Sequence, residues 1–129
     1  MIDIFNEVYT IIKSVLPTNV KMSSVYTNSP SEYPFVSVEE INNATVRQSI
    51  DGCKNENFAE LDYEINIYTK GDSKKSLGNS LLVAIDDKLN ELGFIRTTKN
   101  SFQDTNETIY RIIVRYTAIV SKDHKIYRR

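Results

Sequence analysis

The apolar and polar positions along this chain change period several times, and each change marks an element. At about 100° per residue, Ile2, Ile4, Phe5, Val8, Tyr9, Ile11, Ile12, Val15 and Leu16 fall in one half of a helical wheel. Asp3, Asn6, Glu7, Thr10, Lys13 and Ser14 fill the other half. The pattern predicts a helix over residues 2–16, stopped by Pro17. An apolar face about 180° wide exceeds what docking on one sheet demands; it reads first as one edge of a small core, with contact to another element or subunit as the alternative for part of it.

Residues 18–33 are polar and turn-rich, with a short strand expected within Val20 to Tyr26. Tyr33 to Ile41 is a β-rich run with Pro34 at its start, where a missing N–H is tolerated. Residues 42–57 carry almost no period and include Asp51-Gly52, which reads as a long exposed connection within a β-hairpin. From Phe58 to Thr69 the alternation is clear. Ala59, Leu61, Tyr63, Ile65 and Ile67 interleave with Glu60, Asp62, Glu64, Asn66 and Tyr68, which predicts a strand with one buried and one wet face.

Gly71, Asp72 and Ser73 break that strand and offer an N-cap. Leu77, Leu81, Ile85, Leu89 and Leu92 then recur at helical spacing, Gly93 suits a left-handed C′ position, and Phe94 is placed to fold back onto Leu89. Ile95 to Gln103 reads as a more polar strand, Asp104 to Glu107 as a turn, and Thr108 to Val120 as a long strand. Its even positions, Tyr110 to Val120, face the core, and its odd positions, among them Arg111, Arg115 and Thr117, face outward. A short strand is expected at Lys125 to Arg128. The fold class that follows is α+β: a single domain over 1–129, a mostly antiparallel sheet of four to six strands packed with two helices, in the order α-β-β-α-β-β.

Composition narrows the function. The 129 residues suit one core, and the 40% apolar share is above that of a disordered chain. Sixteen Lys and Arg against 17 Asp and Glu argue against general nucleic-acid binding, which asks for a strongly basic domain. Cys53 is the only cysteine, so no internal disulfide forms. The N-terminus has no basic start with a continuous apolar run, and no apolar stretch approaches the roughly 20 residues that cross a bilayer. A soluble, cytoplasmic protein without membrane contact is expected.

Catalytic chemistry finds no foothold. His124 is the only histidine and lies in a charged tail, without an evident orienting partner or pocket. Cys53 has no partner histidine in prospect. The four glycines form no phosphate-binding fingerprint. Glu60, Asp62 and Glu64 share a strand face that a hard cation could in principle use, but a solvated strand face explains them without a metal, and cross-strand pairing with Arg111 and Arg115 would neutralise them. No enzyme, metal or cofactor is expected.

The charge distribution is more telling. Residues 39–64 carry a net −5, and residues 94–129 a net +5. Either the two halves pair within one sheet, or the subunit has an acidic and a basic side suited to head-to-tail association. The candidate contact residues on that second reading are Arg47, Asp51, Glu60, Asp62, Glu64, Arg111 and Arg115.

Several of these features together resemble the tail terminator (tail completion) proteins of long-tailed bacteriophages. They are the amphipathic first helix, the Tyr33-Pro34-Phe35-Val36 strand entry, and the strand ending Ile65-Asn66-Ile67-Tyr68-Thr69. The helix closing Leu89-Asn90-Glu91-Leu92-Gly93-Phe94 and the strand Tyr110 to Val120 with Arg115-Tyr116 complete the set. The resemblance implies a non-enzymatic virion protein, present in host cytoplasm during assembly and then in the tail or neck. It would form a six-membered ring on the tail tube, stop tube growth, and offer a joining surface to the head-side connector. Its partners would be its own copies, the tube protein and the connector, with DNA passing the lumen without specific binding. Another head–tail connector or stopper protein is the nearest alternative. A small RNA-binding α+β domain is the alternative from a different class, and would need a basic face with exposed aromatics.

Overall fold

The strand Phe58–Lys70 (β3) organises the sheet. A computed structural model describes residues 1–24, 32–46, 58–71, 74–103 and 109–127. The helix Phe5–Val15 (α1) comes first, then the strands Lys21–Ser23 (β1) and Phe35–Thr45 (β2), then β3. The helix Lys74–Leu92 (α2) follows, and then the strands Ile95–Gln103 (β4), Ile109–Ser121 (β5) and Ile126–Tyr127 (β6). The sheet order is β1-β2-β3-β5-β4, with β6 paired to the end of β5. All pairings are antiparallel except β1 with β2. The α+β class and its two helices match the sequence pattern, and β1 and β6 add to the order α-β-β-α-β-β.

Side-chain alternation on β3 and β5 puts one face of the sheet against the helices. Leu61, Tyr63, Ile65 and Ile67 from β3 and Ile112, Val114, Tyr116 and Val120 from β5 are buried there. Tyr63 lies directly opposite Tyr116 in the register. Phe5 of α1 packs near the Tyr63 ring at a centroid distance of 6.3 Å, and Phe94 meets it edge-on at 6.0 Å. Both helices therefore sit over this one face, as Val8 and Ile12 of α1 and Leu81, Ile85 and Leu89 of α2 join the same core.

The start of α1 differs from what periodicity implied. Ile2 and Ile4 fall on the predicted apolar face and are buried, yet α1 begins only at Phe5. Asp3 Oδ1 accepts the Phe5 N–H at 3.0 Å, so a polar side chain supplies an early acceptor and the chain turns into the helix there. Asn43 of β2 anchors the preceding segment by donating its amide to the Ile2 carbonyl at 2.7 Å. At the end of α2, Gly93 has φ 107, and the Phe94 N–H donates to the Leu89 carbonyl at 2.9 Å. That closure is the one Gly93-Phe94 foretold.

The connection expected over 42–57 is shorter on its first side. Residues 42–45 continue β2, with Asn42 opposite Asp62 and Thr45 opposite Ala59. The ladder crosses a bulge between Glu40 and Asn42, which shifts the register and keeps polar residues paired where no period is visible. Asp72, Ser73, Cys53 and the Asp104–Glu107 turn lie outside the described residues.

Candidate functional site

The candidate residues belong mainly to the sheet face that carries no helix among the described elements. Along β3 the positions between the core residues are Glu60, Asp62, Glu64 and Asn66, and from β5 they meet Arg111, Arg115 and Thr117. Glu64 lies opposite Arg115, whose guanidinium donates to Glu64 Oε1 at 3.2 Å. Arg111 donates two hydrogen bonds to Asn66 Oδ1, at 3.2 and 2.8 Å, and its guanidinium stands 5.4 Å from the Tyr68 ring centroid. In the Glu64–Arg115 pair the acidic and basic halves meet inside one subunit, whereas Asn66, which Arg111 reaches, is neutral.

This face is wet at one end only. Glu60 is exposed and Asp62 half-buried, the latter accepting a hydrogen bond from the Asn42 amide at 3.2 Å. Further along, Asn66 and Tyr68 are buried, with the Phe35 ring 6.1 Å from that of Tyr68. Strand alternation alone suggested solvent for all of them. At this end the Phe35 ring and the Arg111 guanidinium both stand beside the Tyr68 ring. Glu60, Asp62 and Arg115 line a shallow depression of about 230 Å³ with Ile41, Thr97, Thr98 and Thr117. Among the described residues no group of His, Cys, Asp or Glu is arranged to hold a metal ion. Arg47 and Asp51 lie outside the described residues.

His124 has more structure around it than its tail position implied. Its Nδ1 is 3.7 Å from Glu7 Oε1, and it sits on the rim of a groove of about 400 Å³ between α1 and β6. Ile4, Val8, Ile11, Leu92, Phe94 and Ile126 make the groove mostly apolar. Glu7 and His124 form a contact between exposed side chains at its rim.

Sequence reasoning missed one polar cluster. Tyr116 donates its hydroxyl to Asp86 Oδ1 at 2.8 Å, and Arg96 approaches the same oxygen at 3.1 Å. The three residues come from β5, α2 and β4, so no local spacing announces them. A second phenol, that of Tyr63, donates to Glu40 Oε1 at 3.5 Å. Burial, with the neighbouring carboxylates next in weight, pushes both phenols well above the usual tyrosine range.

Comparison with known proteins gives a fold relationship. A chain in a structure described as the virion of a native gene transfer agent particle superposes with a TM-score of 0.59. The match covers 92% of this chain and 90% of that one, at 15% identity. The likeness is one of fold. No family profile matches the chain, and no curated protein does. Among the described residues, no helix is long and apolar enough to cross a membrane.

Proposed function

We propose that this chain is a virion structural subunit of the tail terminator kind, closing the end of a tail tube as a ring and offering the surface that joins it to the head. The observation that carries the reading is the end-to-end fold match, 92% of one chain on 90% of the other, to a component of a virion particle. The sequence resemblance points the same way.

The charge distribution supports assembly from copies of one subunit. After Glu64 and Arg115 are paired internally, Glu39, Glu40, Glu60 and Asp62 remain toward β2, and Lys99 and Lys122 toward the other side of the sheet. Heterologous contacts between two such patches generate a ring when the rotation closes. Acidic residues lining the lumen would keep DNA phosphates from adhering as the duplex passes.

Electron microscopy of the purified protein, alone and mixed with tail tubes, tests the reading. Rings in projection and tubes capped at one end are expected. A protein that stays monomeric at high concentration and leaves tubes uncapped and growing would remove it.

A further inference from the structure

Among the described residues, two long strand edges of this sheet have no further strand beside them, and both carry exposed apolar side chains. On one side, β1 covers β2 only from Phe35 to Ser37, so no described strand lies beyond Val38 to Ala44. On the other side, β4 ends the sheet and pairs only with β5. Apart from Met1 and Val83, the large hydrophobic residues that stand exposed among the described residues are Ile41 on β2 and Ile95 and Phe102 on β4.

We propose that copies of this chain join edge to edge, the Val38–Ala44 edge of one subunit pairing antiparallel with the Ile95–Phe102 edge of the next, so that the sheet continues across the subunit boundary. The inference rests on the assembly reading above and names the surface through which it occurs. Strand direction is compatible. β2, β3, β5 and β4 alternate in direction, so β4 runs opposite to β2. Head-to-tail repetition therefore places the two edges antiparallel, the more stable of the two pairings.

Charge sets the register. Glu40 lies opposite Tyr63 and Lys99 opposite Val114, so both side chains lean to the helix-bearing face. Among the described residues Lys99 has no ion-pair partner, and Glu40 has hydrogen bonds from Tyr63 and Asn43 but no cation. Setting Glu40 beside Lys99 also sets Asn43 beside Arg96 on the same face, and joins the acidic and basic sides of the subunit. Partial burial and the Asp3 carboxylate hold the Glu40 pKa above its ordinary value, a cost that a lysine from the next copy relieves.

A lysine and a bulge on an edge strand are also the means by which monomers blunt such edges. Both are present on β4, the bulge lying between Arg96 and Thr98. Exposed Ile95 and Phe102 are the opposite of blunting, and on that ground the edge is read as a contact.

Disulfide trapping tests the pairing. In a Cys53→Ser background, chains carrying both Glu40→Cys and Lys99→Cys are assembled and then oxidised. A ladder of covalent oligomers ending in a closed species is expected. A mixture of the two single variants should stop at dimers that contain one chain of each kind. In parallel, Glu40→Lys and Lys99→Glu should each reduce assembly at least tenfold in the concentration required, and the double swap should restore it. Assembled rings that do not trap, and that ignore the charge swaps, would overturn the edge pairing and leave the assembly reading standing. A folded wild-type chain that never assembles, alone or on tubes, would overturn both.

Discussion

Tyr116 and Asp86 clasp the sheet to the second helix: the phenol of β5 donates to the carboxylate of α2 at 2.8 Å beneath the helix layer. The ring is fully buried, and Arg96 from β4 balances the same carboxylate from the solvent side at 3.1 Å. Three elements are thus tied at one oxygen.

Truncation at this point should separate packing from hydrogen bonding. Tyr116→Ala should destabilise the fold by about 3–5 kcal/mol, the range for emptying the site of a large core aromatic. Tyr116→Phe keeps the ring and should cost about 1 kcal/mol, whereas Asp86→Ala leaves the buried phenol without its acceptor and should cost about 1–3 kcal/mol. Arg115, half-exposed on the other face, should lose less than about 1 kcal/mol on truncation to Ala. Chemical denaturation of the four variants measures this. Equal small losses for Tyr116→Ala and Arg115→Ala would contradict the packing described.

Alkaline titration should reveal the two clasped phenols. An unfolded tyrosine loses its proton near pH 10, whereas Tyr63 and Tyr116 retain theirs to higher pH in the fold. Above pH 10 the native state therefore binds more protons than the unfolded one. Their contribution is complete below about pH 10 and falls as pH rises beyond it. Tyrosinate absorbance should show a late fraction that ionises together with the loss of native circular dichroism, and Tyr116→Phe should shrink that fraction.

Glu40 gives a pH effect of the same sign at the acid end. Its folded pKa lies above the ordinary 4.5, because burial and Asp3 disfavour the charge. Its favourable contribution is present while it is protonated and disappears as pH rises through the folded pKa. In the isolated subunit Glu40→Gln should therefore raise stability at pH 7 and change it little at pH 3. Thermal melts at the two pH values measure the difference, and a loss at pH 7 would reverse the assignment.

Gly93 should resist substitution. With φ at 107, the backbone occupies a region that L side chains rarely adopt. Gly93→Ala should cost about 1–3 kcal/mol, and should weaken the Leu89–Phe94 closure through which Phe94 reaches Tyr63. Amide exchange at Phe94 follows that closure directly.

Salt should act on assembly far more than on the fold. The Debye length falls to about 3 Å at 1 M salt, and exposed ion pairs contribute about 0–1 kcal/mol each, so pairs at a subunit boundary weaken first. Light scattering at several concentrations should show larger assemblies at low salt, while the melting temperature moves little.

The hydrophobic pattern alone determined the parts of this protein that face a core. The odd positions of β3, the even positions of β5, the leucine stripe of α2 and its Gly93 stop were all legible, because burial on one face imposes a period of 2 or 3.6 on the sequence. Four things were not. Residues 42–45 read as connection, since an edge strand past a bulge needs backbone partners and no apolar period. The Tyr116–Asp86–Arg96 tie joins three elements, and only tertiary packing brings them to one oxygen. The sequence left open whether the acidic and basic halves pair within the sheet, and register decided it for Glu64 and Arg115 by setting them face to face. Which strand edges remain open was likewise settled by strand order, a property of the folded sheet rather than of any segment in it.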